Sequence, residues 1–128
     1  MRLAETVTGT VNGDAFPGYS AALIPADDFT GTDILPVHAF FLGCGEPEPP
    51  SFYYIEELMY HINLAGRFCG VFSGNAKAVK YLSALVRPCE AAAGKPLYAK
   101  NGLITSDEML KWIQSILKLG EKDERFQP

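Results

Sequence analysis

Two stretches of this chain, HAFFLGCG at 38–45 and FCGVFSGN at 68–75, each run from apolar residues into small ones and then into a segment of helical spacing. They form two consecutive strand–loop–helix units. A strand that returns to its neighbour through a helix pairs with it in parallel, and the crossover helices cover the sheet. The pattern predicts an α/β chain with an open parallel sheet and helices on both faces. In such sheets ligands sit beyond the carboxyl ends of the strands. The loops at 43–46 and 73–75 therefore mark the candidate site, with Gly43, Cys44, Gly45, Glu46, Ser73, Gly74 and Asn75 as its residues. Their glycines let a ligand approach the backbone closely.

The chain is long enough for one domain, 1–128, and its 48% hydrophobic content suffices for one core. The net charge is −4 and no basic run occurs, so nucleic acid is not an expected partner. No apolar run approaches the ~18 residues of a membrane span. MRLAETVTG lacks the apolar core of a secretory signal. Cys44, Cys69 and Cys89 are odd in number and widely spaced, which suits a reducing cytoplasm better than a disulfide framework. A cytoplasmic location is the expectation.

Leu3, Val7 and Val11 share one helical face, with Gly13 placed to stop the helix. Threonines and Gly9 are poor helix formers, so a strand over TVTGTV is the rival reading. SAALIP at 20–25 predicts a short strand closed by Pro25, and 26–36 reads as irregular with at most a helical turn near Asp33. Residues 38–43 read as a buried strand. Ser51 is placed to cap a helix whose face is Ile55, Leu58, Met59 and Ile62. Residues 67–73 form the next strand. Asn75 caps a helix carrying Val79, Leu82 and Val86, which Pro88 kinks or ends. PLYAK at 96–100 is a further short strand. Thr105 and Glu108 form a capping box for a last helix carrying Met109, Trp112, Ile113, Ile116 and Leu117. A polar tail, 121–128, is expected to fray.

Taken in order, ALIPADDF, HAFFLGCG, a helix, LAGRFCGVFS, NAKAVKYLSALVRPCEAAAG and a last strand and helix, residues 20–118 resemble a flavodoxin-like domain. Leu64 to Arg67 entering a strand, and the Leu42-Gly43-Cys44 loop, carry the likeness together with the order of elements. Flavodoxins open on an apolar strand and a T-x-T-G-x-T loop that wraps the FMN phosphate at a helix N-terminus. RLAETV resembles the interior of the helix that follows, so the resemblance implies a fold missing its first strand and phosphate loop, with Met1 beyond their place. TVTGT at 6–10 looks superficially like that loop. However, MRLAE is too short and polar to be the strand before it, and VNGDAFPG is too rich in breakers to be the helix after it.

The resemblance makes FMN a possible cofactor, while Glu46 and Glu48 would repel its phosphate. The leading expectation is a binding or interaction module, not catalytic alone and unable to hold FMN by itself. The alternative is an FMN-dependent electron-transfer protein or oxidoreductase whose phosphate contacts come from another chain or loop. In the family's strand order the first strand lies between the second and third. Its loss would leave unpaired backbone groups that template another chain, so a homodimer or a partner protein is expected to cover that edge.

The remaining candidates carry two readings each. Phe52 and Tyr53, at a helix start beside the loops, could stack on a flat ring; otherwise Phe52 is buried and the tyrosines cover the sheet or a partner. Cys44 is a reactive thiol if its loop lowers its pKa, or a small residue needed for packing. His38 and His61 lack neighbours at metal-ligand spacing and are assigned structural roles. No catalytic residue and no metal ligand is assigned.

Overall fold

The computed structural model describes residues 2–45 and 51–117. In chain order these form α1 Arg2–Val11, α2 Gly31–Ile34, β1 Ala39–Gly43, α3 Ser51–His61, β2 Phe68–Ser73, α4 Ala76–Val86, β3 Ala92–Ala93, β4 Leu97–Tyr98 and α5 Ser106–Leu117. The expectations for Glu46 and Glu48, for the Ser51 side chain and for the tail at 121–128 lie outside the described residues.

β2 is the strand on which the sheet is built. β1 pairs with one edge of it in parallel, from Ala39 opposite Phe68 to Gly43 opposite Phe72. β3 and β4 pair in parallel with the other edge. The sheet is open, with β1 at its margin among the described residues. Side chains alternate across it, as the strand period of two requires. Cys69 and Val71 face a cluster with Ile55, Met59, Leu82 and Val86 from α3 and α4. Phe68 and Phe72 face the opposite cluster, with Val7 and Val11 of α1 and Trp112, Ile113 and Ile116 of α5. Helices therefore cover both faces, as the sequence predicts. Gly70 brings α5 close to the sheet: a Cβ there would lie 2.8 Å from Trp112 and 3.0 Å from Ile116.

The local signals act as read. Asn75 Oδ1 accepts the N–H groups of Lys77 and Ala78, capping α4. Thr105 Oγ1 accepts the Glu108 N–H while the Glu108 carboxylate accepts the Thr105 N–H, so the capping box opens α5. α4 ends at Val86, and Pro88 sits in the turn Arg87–Cys89 that follows. TVTGTV is helical within α1, which removes both the strand reading and the phosphate-loop reading of that segment. Its threonines are accommodated because Thr8 and Thr10 donate their hydroxyls back to the carbonyls of Ala4 and Thr6, at 2.9 and 2.7 Å.

Three expectations are corrected. SAALIP forms no strand; residues 20–25 lie outside any helix or strand. β1 is half-buried along its whole length rather than buried, because it has a neighbour on one side only. PLYAK contributes two paired residues, Leu97 and Tyr98, and shares its side of β2 with the unanticipated Ala92 and Ala93.

Candidate functional site: an open strand edge beside an apolar groove

The two loops that the sequence places together do meet. The Ser73 hydroxyl donates to the Cys44 carbonyl and accepts the Asn75 N–H at 3.0 Å. These polar groups serve the fold. Ser73 is buried, and the Asn75 carboxamide is occupied in capping α4. Gly74 is tight on its open side, where a Cβ would stand 2.9 Å from the Gly102 nitrogen and 3.2 Å from the Ala99 carbonyl. Gly45 faces open space. Glu46 is outside the described residues.

Cys44 is half-buried, and burial pushes its thiol up to about 11, away from the thiolate a nucleophile needs. The packing reading suits it. Phe52 is buried, its ring set edge-on to Tyr81 at 5.9 Å. Tyr81 donates its hydroxyl to Glu56, a link between α4 and α3 that no sequence motif announces. Tyr53 is 61% exposed and lines a shallow surface depression with Glu56, Glu57, Tyr60 and His61. Phe52 therefore faces inward and Tyr53 outward, and they do not form one aromatic face. Among the described residues no group of three or more His, Cys, Asp or Glu side chains is placed to hold a metal ion.

A second feature joins this end of the sheet. A groove of about 400 Å³ is lined by residues 38–44 of β1 and its flanks and by residues 19–24. Val7 and Val11 of α1 and Leu117 of α5 line it from one face of the sheet, and Phe52, Ile55 and Met59 of α3 line it from the other. Gly43, Cys44 and Phe52 thus belong to the groove as well as to the loop cluster.

The backbone of β1 explains the groove's chemistry. Phe68 N–H donates to the His38 carbonyl across the β1–β2 pair. In a parallel ladder successive residues of a strand turn their N–H and C=O groups to alternate sides. His38, Phe40 and Leu42 therefore face β2, and Ala39, Phe41 and Gly43 turn theirs to the outer edge. Among the described residues no strand pairs with that edge. Opposite it, Ala21 donates its N–H to Asn12 Oδ1 at 2.7 Å, and its carbonyl accepts Asn12 Nδ2–H at 3.0 Å. One side-chain amide thus takes the place of a neighbouring strand for one residue of the 20–24 segment. Sequence reading missed this contact because an Asn before a Gly signals only a turn. Comparison of the chain with protein-family models, with curated proteins and with solved structures finds no match.

Proposed function

We propose that this chain is a binding module, not catalytic alone, that associates through the outer edge of β1, with a second copy or a partner protein covering it. The order of helices and strands from β1 onward supports a flavodoxin-like arrangement, although residues 20–25, expected as its second strand, form none. The observation that carries the reading is the edge of Ala39, Phe41 and Gly43, with which no strand pairs among the described residues, beside an apolar groove. An open edge of backbone N–H and C=O groups pairs readily with another chain.

Light scattering over a wide concentration range tests this. Concentration-dependent association that Ala39→Lys abolishes is the expected result. Association that the lysine leaves unchanged would place the contact elsewhere. A chain that stays monomeric throughout, and whose β1 amides do not respond to an added apolar peptide, would contradict the reading outright.

A second reading is an FMN-dependent electron-transfer protein or oxidoreductase with phosphate contacts from another chain or loop. The meeting of the 43–45 and 73–75 loops at adjacent strand ends favours it, with Gly43, Cys44 and Phe52 on the groove. Titration with FMN and riboflavin separates the two readings. Stoichiometric FMN retained through purification would favour the second reading, and no tight binding is expected under the first.

A further inference from the structure

Beyond the polar contacts of the loop cluster, the molecule has three further features. The α3 depression of Tyr53, Glu56, Glu57, Tyr60 and His61 is shallow and presents no enclosed site. Cys69 and Cys89 are fully buried free thiols, and Cys89 donates its thiol to the Val86 carbonyl. The groove beside β1 combines hydrogen-bonding groups, shape and uniform chemistry.

Building on the proposed association through β1, we infer that the groove takes a single extended strand of another protein, uncharged and apolar at consecutive positions. Three observations lead there. First, the outward N–H and C=O groups of Ala39, Phe41 and Gly43 offer the alternating donors and acceptors that only an extended backbone matches. Second, both faces of the sheet supply the lining. Phe41 packs with the α1–α5 cluster, whereas Phe40 and Leu42 pack with the α3–α4 cluster. A strand beside β1 sends successive side chains to these two apolar layers in turn. The usual edge-binding peptide, polar at every second position, would bury its polar residues here. Third, charge is nearly absent from the lining, with Asp33 and His38 its main ionisable groups besides Tyr19 and Cys44. A charged guest would therefore lose its hydration without compensation.

Two segments of the chain itself are poor guests. Residues 20–24 are the far wall of the groove, held at Ala21 by Asn12. Residues 121–125, Glu-Lys-Asp-Glu-Arg, are all charged. β1 and β2 of a second copy have the required chemistry but are bound to each other within their own sheet, so the guest is assigned to a different chain.

Two synthetic peptides test this on the full chain. One carries Val-Ile-Val-Ile-Val between lysine pairs, and the other carries Val-Lys-Val-Lys-Val in the same flanks. Trp112 fluorescence reports binding, because its ring lies 5.4 Å from that of Phe41 and neither peptide contains tryptophan. The apolar peptide is expected to bind and to dissolve any self-association, and the alternating one to fail. Ala39→Pro is expected to weaken binding about tenfold, because it removes one outward N–H. The same variant leaves the β1–β2 ladder intact, and an unchanged urea midpoint would show it to be folded.

Equal binding of both peptides would overturn the two-faced apolar groove. Binding that Ala39→Pro leaves unchanged would overturn the edge as its site. Self-association through β1 that neither peptide relieves would make a second copy the occupant; this inference would then fail while the proposed association stood. Neither association nor peptide binding would end both.

Discussion

The Asn12 carboxamide holds Ala21 by both of its backbone groups, accepting its N–H at 2.7 Å and donating to its carbonyl at 3.0 Å. This pairing fixes residues 20–24 as a wall facing β1, although they belong to no sheet. Asn12→Ala removes both bonds and is expected to cost about 1 kcal/mol, since each is solvent-accessible. Asn12→Asp keeps the acceptor but sets a carboxylate oxygen against the Ala21 carbonyl, and is expected to cost at least as much. Urea denaturation of the two variants checks the order. Equal stability of all three proteins would mean that Ala21 is held by something else.

Gly43 is the point where β1 cannot accept a side chain. A Cβ there would come within 2.2 Å of the Phe72 ring. Phe72 is buried among Val7, Val11 and Trp112, so it has little room to yield. Gly43→Ala is expected to destabilise the fold by about 1–3 kcal/mol through overpacking. Gly45→Ala is the control: a Cβ there meets nothing within 4 Å, and a near-neutral result is expected. The two urea midpoints decide it.

Stability is expected to fall in alkaline solution because of the thiols. Burial pushes Cys44 from 9.0 to about 11 and Cys69 from 9.0 to about 12. It also raises Cys89. Between the unfolded and folded values the unfolded chain holds fewer protons, so stability decreases as pH rises. The contribution is whole below the ordinary thiol value of 9.0 and declines above it until the folded thiols themselves ionise. Cys44→Ala is expected to make the profile shallower over that window. A profile identical to that of the unsubstituted chain would mean that Cys44 is hydrated like a free thiol.

The parts of the fold legible in the sequence are those with local or two-sided signals. FCGVFS is continuously apolar because β2 is covered on both faces, and α5 shows its buried face at Met109, Trp112, Ile113 and Ile116. Asn75 and the Thr105–Glu108 pair act on backbone groups within a turn of themselves, so their roles are visible in spacing alone. AFFLG reads the same whether one strand or two flank it, so the marginal position of β1 leaves no mark in its residues. SAALIP has strand composition, but a strand needs a partner in the ladder, and Ala21 finds Asn12 instead. Of the candidate site, the meeting of Cys44 and Ser73 follows from consecutive parallel strands ending at one edge. That Ser73 and Asn75 spend their polar groups on the fold, and that Phe52 turns inward while Tyr53 turns out, depends on long-range packing that no local pattern encodes.

Among the described residues β1 presents an outer edge that no strand covers, and amide hydrogen exchange of the free, dilute chain measures it directly. Phe40 and Leu42 turn their N–H groups to β2, and Ala39, Phe41 and Gly43 turn theirs outward. Slow exchange at Phe40 and Leu42 and fast exchange at Ala39, Phe41 and Gly43 are expected, an alternation along a single strand. Uniformly slow exchange at all five residues in a monomer would show that the edge is already paired within the chain and would contradict the account.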